Sequence, residues 1–207
     1  MTAEISSIYL LDGATGQSVE AELRDAIEQA QLADWQIKWQ PALLVVLQEL
    51  ARKNVPMSQW PQSWHWNWQQ KTAQVQGLLA FRGFSVVAQG ETQGLAQVDL
   101  TKLGRIPSQR GKPIIYLDYL EVAPWNRPEL GTQPRLRGVG TALVSAAVAL
   151  SVDEGFKGRI GLHSLPQADA FYRTRCGMTD GEPDPSYQNL RYFEMTAEQA
   201  RAFLEEE

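Results

Sequence analysis

A chain of 207 residues, 43% hydrophobic and 21% charged, has the make-up of one globular domain, or one domain with a substantial extension. Its formal net charge of -5 argues against broad nucleic-acid binding, and its single cysteine, Cys176, excludes an internal disulfide and suits a reducing compartment. No apolar run approaches the roughly 20 residues that span a bilayer, and Met1 to Ser7 lacks a basic stretch followed by an apolar core, so a soluble cytoplasmic protein with no membrane partner is expected.

Ile5 to Leu11 reads as a short strand ending at the Asp12-Gly13 turn. Ser18 is a good helix N-cap, with Glu20 and Glu22 in the first turn where the helix dipole favours anions. Leu23, Ile27 and Ala30 then recur at helical spacing. A second helix is expected from near Pro41, with Leu43, Leu47 and Leu50 on one face, up to Asn54-Val55-Pro56. A third runs from about Pro61 to Val75. The period then changes. Phe84 to Ala88 and Leu95 to Leu100 are β-rich segments around Gly90 to Gly94, which reads as a hairpin. Ile114 to Val122 is the clearest strand. The helix over 138–154 is apolar on nearly every side, as in an element buried between neighbours, and Gly155 caps it. Arg159 to His163 is another strand, and a short helix enters through Pro166 and ends at Gly177. Leu190 to Met195 is a last strand, and Thr196 with Gln199 makes a capping box for a closing helix. The order gives a mixed α/β (α+β) chain around a central mixed sheet. One domain over 1–207 is expected, with strand and helices in 1–83, a core in 84–195 and a closing helix in 196–207.

Chemistry concentrates at Arg135-Leu136-Arg137-Gly138-Val139-Gly140-Thr141, between a strand and the long apolar helix. Glycines let a turning backbone approach a bulky anion, and the helix that follows aims its unpaired N–H groups and positive dipole end at the same spot. Two arginines flank the turn, as a pyrophosphate pocket requires. The Gly-Lys-Ser/Thr ending of a nucleotide P-loop is missing. The dinucleotide fingerprint fails too, because Leu143 stands where its third small residue belongs.

What remains is Arg/Gln-x-x-Gly-x-Gly/Ala, with a strand before it and Phe171-Tyr172 after it. This resembles the acetyl-CoA site of the GNAT N-acetyltransferase superfamily, specifically from Phe84 to Met195 and only in element order before that. The resemblance implies the acyl-CoA N-acyltransferase fold, a twisted mixed sheet with helices on both faces. It implies acetyl-CoA as co-substrate, no metal, and direct acetyl transfer to a primary amine in a ternary complex. The diphosphate would rest on N–H groups from Leu136 through Gly138, Val139 and Gly140 to Thr141, with Arg135 and Arg137 adding charge. The strand Tyr116 to Pro124 resembles the GNAT strand whose carboxylate lies four residues before the Val of Val-x-Pro; here that is Asp118. By the same resemblance the strand end splays, and the Leu120 and Val122 backbones contact the pantetheine arm. A protonated amine needs a proton acceptor. Asp118 is the first candidate and Glu121 the second, although in a regular strand Glu121 faces the other side. The plain alternatives are a hydrogen-bonded strand-edge acid for Asp118 and a solvated or ion-paired surface acid for Glu121. Ala168-x-x-Phe171-Tyr172 before Gly177-Met178 resembles the segment whose tyrosine hydroxyl lies against the CoA sulfur, where a phenol suits protonation of a thiolate. The alternative for Tyr172 is a packed core tyrosine. Leu165 stands where many members carry Asn, so that contact is not carried over. Cys176 reads as a small buried residue.

The acceptor side is less defined. Trp60, Trp64 and Trp68 fall on one face of the third expected helix, either burying it or, at Trp64 and Trp68, walling an acceptor site for a cation. Trp125, Asn126 and Arg127 lie on a loop, through Pro134, that is longer than the family's usual connection, and Asn126 and Arg127 could reach a carboxylate. His163 could act as a base, although a lone histidine is more often structural. The acceptor stays open among a small amine, an aminoglycoside-type antibiotic, an amino-acid derivative and a peptide or protein amino group. A homodimer is compatible with all of these. Two rivals stand beside the enzyme: a non-catalytic CoA-binding sensor or partner module, and a GNAT-like toxin acetylating aminoacyl-tRNA. The toxin needs a basic stripe, drawn from Arg127, Arg135, Arg137, Arg173 and Arg175, and the acidic total counts against it, so no nucleic-acid partner is expected.

Overall fold

Strand β1, Ile5–Asp12, turns back into β2, Ser18–Arg24, with register from Ile5↔Arg24 to Leu11↔Ser18 in the computed structural model, which describes residues 4–131 and 133–205. This corrects the helix expected from Ser18. Val19, Ala21 and Leu23 alternate with Ser18, Glu20 and Glu22, a period of two that suits a strand with one packed face. Pairing on both sides of β2 outweighs the local cap signal of Ser18.

The helical segment begins at α1, Gln29–Asp34, and passes through a π turn at Trp35–Trp39 into α2, Gln40–Arg52. It therefore starts well before Pro41. Proline has no N–H to give the preceding turn, and the chain widens at this point, with Gln40 N–H donating to Trp35 O. Such one-turn bulges accommodate a lost helical bond. Trp35, Trp39 and Leu43 follow at four-residue spacing and are buried. The third helix is shorter than expected: α3 is Trp68–Val75, opened by Asn67, whose side chain accepts Gln70 N–H at 3.0 Å. Residues 61–67 are turns instead, with Trp64 N–H donating to Pro61 O and Trp66 N–H to Ser63 O. Trp60 and Trp64 are thus outside the helix and do not share a helical face with Trp68.

β3, Phe81–Ala88, and β4, Glu91–Asp99, are joined through Gln89 and Gly90, at φ 55 and 75. Two left-handed residues match the twist of paired strands, so the hairpin is tighter than the sequence suggests. β5, Ile115–Val122, and β6, Leu136–Arg137, precede α4, Val139–Asp153. β7, Ile160–Ser164, β8, Thr179–Asp184, β9, Leu190–Met195, and α5, Ala197–Glu205, complete the chain. Thr196 and Gln199 form the expected reciprocal cap, with Gln199 N–H donating to Thr196 Oγ1 and Thr196 N–H to Gln199 Oε1. The helix expected after Pro166 is a 3₁₀ turn, Pro166–Ala168, followed by a π turn, Phe171–Arg175.

The described residues group into two compact units. The first draws on Met1–Leu78, Gly83–Leu95 and Glu121–Gly140, the second on Leu79–Arg82, Ala96–Leu120 and Thr141–Glu207. Within the first, the strands run β6-β1-β2-β3-β4, and β6 pairs antiparallel with β1 through Leu11↔Arg137 and Asp12↔Leu136. Within the second they run β5-β7-β9-β8, with β5 and β7 parallel and the other pairs antiparallel. The fold is therefore mixed α+β, with a mixed sheet and flanking helices, as expected. β8 has no apolar alternation to announce it: it carries Gly181, Pro183 and three acids at a sheet edge, where such residues are tolerated. Among the described residues no helix is long and apolar enough to cross a membrane.

Candidate functional site

The glycine turn rests on a clamp built in the first unit. Gly13 N–H donates to Arg135 O at 2.8 Å, and the Arg137 guanidinium donates to Gly13 O at 3.1 Å. A Cβ on Gly13 would sit 1.6 Å from Pro134 O, so only glycine admits this approach. Asn126 Oδ1 accepts Leu136 N–H at 2.8 Å, while its Nδ2 donates to Gln93 Oε1 at 2.8 Å. The Trp125 indole N–H shares that acceptor at 3.0 Å, and the Arg135 guanidinium lies 5.1 Å above the Trp125 ring. Gly138 then takes φ +95, a conformation costly for any side chain, and Val139 opens α4. The first-turn N–H groups of a helix have no intrahelical acceptor. One sequence expectation narrows here: Leu136 is buried and its N–H is already taken up by Asn126. Asn126 itself is a buried brace and not a loop contact for an acceptor.

Glu121 lies at the end of β5, in the same unit, and it is not a surface acid. The carboxylate is 7% exposed, as is the Arg127 guanidinium 3.4 Å away. Trp68 Nε1 donates to Glu121 Oε2 at 2.7 Å, and Arg127 also donates to Ser63 Oγ at 3.1 Å and to Glu129 at 2.8 Å. Burial pushes the Glu121 carboxyl up, with the Arg127 charge opposing. Two expectations change, and for Trp68 the core reading, expected ahead of the wall, is the one that holds. Trp68 is fully buried and belongs to the core, not to an aromatic wall. Arg127 already holds carboxylates of this chain. Glu121, with both oxygens engaged, is a lock and not a base. Trp64 stays at the surface, edge-on to Trp60 at 6.0 Å.

In the second unit, the ladder between β5 and β7 ends at Leu117↔Leu162, although β5 runs on to Val122 and β7 to Ser164. Asp118 stands at the first position past the last pair and is half-buried. Tyr172 is buried against Phe193, ring centroids 6.0 Å apart, and burial pushes its phenol above the ordinary range. Cys176 is buried, as expected.

His163 is far from alone. Its Nδ1 is 2.5 Å from the Tyr116 hydroxyl and its Nε2 is 3.1 Å from Asp184 Oδ2. Tyr187 stacks on the ring at 3.9 Å and 4°. The Arg105 guanidinium pairs with Asp184 at 2.5 Å. Burial lowers the imidazole pKa. No local pattern could have joined these residues; the parallel register of β5 and β7 brings Tyr116 to His163.

A cavity of about 390 Å³ also lies in the first unit, lined among others by Asp12, Gly13, Glu91, Trp125 and Arg135. Among the described residues no cluster of three or more His, Cys, Asp or Glu side chains could hold a metal ion.

No protein-family model and no curated protein matches the chain. Among solved structures it is similar to the GNAT domain of PAT from S. lividans, at 13% identity and a TM-score of 0.51, over 92% of this chain and 96% of that one. It is also similar to RimJ from Mycobacterium smegmatis, solved in complex with CoA-disulfide, at 15% identity and a TM-score of 0.50, over 96% of this chain and 91% of that one. Likeness at such low identity speaks for the fold alone.

Proposed function

We propose that this chain, which has the GNAT fold, is an acyltransferase that carries the acetyl group of acetyl-CoA to a primary amine. The observation that carries the reading is the turn at Gly138, left-handed at φ +95, tied down ahead by the Arg135–Arg137 clamp and leading into the 15 residues of α4. Such a helix start favours a diphosphate through both its N–H groups and its dipole. In this reading Gly138, Val139, Gly140 and Thr141 take the diphosphate on their N–H groups. Arg135 and Arg137, both exposed, add charge, and Leu136 serves as the anchor of the turn. The Leu120 and Val122 backbones take the pantetheine arm. A backbone N–H there, aimed at the thioester oxygen, is worth about 3 kcal/mol of barrier.

Transfer is direct. Asp118 accepts the proton that the amine must lose, the N–C bond forms and the C–S bond breaks, and Tyr172 gives its proton to the departing thiolate. An ordinary phenol already carries its proton at neutral pH; burial, which pushes the Tyr172 phenol up, holds that proton more tightly, so donation depends on the thiolate forming beside it. The acceptor class is a primary amine on a small molecule or peptide.

Calorimetry with CoA and acetyl-CoA, followed by thiol release over panels of amines, antibiotics and peptides, tests this. Micromolar affinity with release on at least one acceptor is expected. Tyr172→Phe is expected to lower kcat about 100-fold and leave CoA affinity unchanged. No measurable CoA affinity would overturn the reading; affinity without release on any amine would favour the non-catalytic CoA-binding module.

A further inference from the structure

Strand β1 is paired along the whole of one edge and only at one end of the other. Glu4 O accepts Asp25 N–H, and Asp12 N–H donates to Gln17 O, so the even-numbered residues of this strand turn their backbone groups toward β2. Gly13 N–H donates instead to Arg135 O, on the side of β6. By that alternation the N–H and C=O groups of Ile5, Ser7 and Tyr9 face the β6 side as well. β6 is 2 residues long and pairs only with Leu11 and Asp12. Among the described residues no other strand lies along that edge.

The side chains leave the same edge unprotected. Ile5, Tyr9 and Leu11 alternate onto one face of β1 and are 50%, 72% and 48% exposed, while Leu10 on the other face is buried. From Ile5 to Leu11 the strand carries no charge and no proline, and its register with β2 runs without a bulge. Charge, proline and bulges are the devices that keep a sheet edge from pairing with another chain. β8, in the second unit, has all of them: Asp180, Glu182 and Asp184, Pro183, and a register shift between Asp180 and Pro183. One edge strand of this chain is thus blocked against pairing and the other is open to it.

The order of residues along β1 selects the partner. The open length ends where β6 begins, so its midpoint is Ser7, between Ile5 and Tyr9. Laid antiparallel against itself about Ser7, the strand sets Ile5 opposite Tyr9 of a second copy, Ser7 opposite Ser7, and Tyr9 opposite Ile5. Each edge-facing N–H and C=O then meets its complement. An aromatic ring meets a β-branched side chain on both sides of the centre, a favourable cross-strand pair, and no like charges stand opposed. We propose that this chain forms a twofold dimer in which β1 pairs antiparallel with β1 of a second copy, centred on Ser7. The dimer stands independently of the acyl-transfer chemistry. Its seam is short, at the low end of protein interfaces, so a reversible dimer with Kd on the order of 10–100 µM is expected.

Sedimentation of the full chain from low micromolar to submillimolar concentration tests this, and a monomer–dimer equilibrium is expected. Ser7→Pro removes an N–H that β2 does not use, at a position where an edge strand tolerates proline. Tyr9→Lys places a charge on the edge and leaves the backbone intact. Each is expected to weaken association at least about 10-fold, with parent-like circular dichroism and Tm. Val45→Lys, at an exposed position of α2, is expected to leave association unchanged. In amide exchange, Ile5, Ser7 and Tyr9 should gain protection as concentration rises, whereas Ile8 and Leu10, paired with β2, are protected throughout. A chain that stays monomeric at the highest concentration would overturn the proposal. So would a dimer that Tyr9→Lys leaves intact or that Val45→Lys abolishes.

Discussion

Gly13 shows how much one missing side chain decides. The sequence marks it as the end of a strand, which it is, but its larger role is to let β1 touch the segment leading to the diphosphate turn. Its would-be Cβ meets a backbone oxygen at 1.6 Å, which no rotamer change can relieve. Gly13→Ala is therefore expected to cost about 1–3 kcal/mol, as overpacking does, and to weaken CoA binding by loosening Arg135–Arg137. Urea unfolding and calorimetry on the same variant check both effects. A variant with lower stability and parent-like CoA affinity would separate the clamp from the site. Gly138 was legible in the sequence because a left-handed turn before a helix leaves a local mark. The partner of Gly13 was not, because Pro134 and Arg135 are distant along the chain.

Two elements and a loop are held together by one buried carboxylate. Glu121 on β5 accepts from Trp68 on α3 and pairs with Arg127 on the loop that follows β5. Removing one partner of such a pair leaves the other charge buried and uncompensated, a loss of about 3–5 kcal/mol. Glu121→Ala should cost that much in equilibrium unfolding. The double change Glu121→Leu with Arg127→Met should recover most of it, because apolar replacements of similar size often match a buried pair. If the single and double variants are equally unstable, the pair is not what locks these elements. The sequence read Trp68 as core first, with an acceptor wall as the alternative, and its burial bears the first reading out. Spacing alone did not decide it, because it assumed a helix through Trp60 and Trp64 that the cap at Asn67 forbids.

For the whole molecule, the groups around His163 supply part of the acid stability, alongside lowered carboxyls elsewhere such as Glu49 and Asp34. The imidazole pKa is lowered in the folded state, chiefly by burial. As pH falls below about 6.5 the unfolded chain gains a proton that the folded chain resists, so stability drops. The Asp184 carboxyl is held well below its usual range by the Ser186 hydroxyl and the Arg105 guanidinium. Its contribution is full above about pH 4 and is lost as pH falls further. Urea midpoints measured from pH 7.5 to 3 should therefore decline in two stages. His163→Gln should flatten the first stage and leave the second; an unchanged first stage would assign it to another group.

By itself the sequence determined the elements whose signal is local. The β-rich runs of β5 and β9, the apolar α4, the Thr196 cap and the glycine turn are all written within a few residues, and together they sufficed for the fold class. Only the tertiary structure decided that Ser18–Arg24 is a strand, that Leu136–Arg137 joins β1, and that Glu121, Trp68 and Arg127 are interior partners. It alone seated His163 between Tyr116 and Asp184. The reason is physical: strand pairing and buried charge compensation depend on which distant groups meet, and a chain read residue by residue carries no record of that meeting.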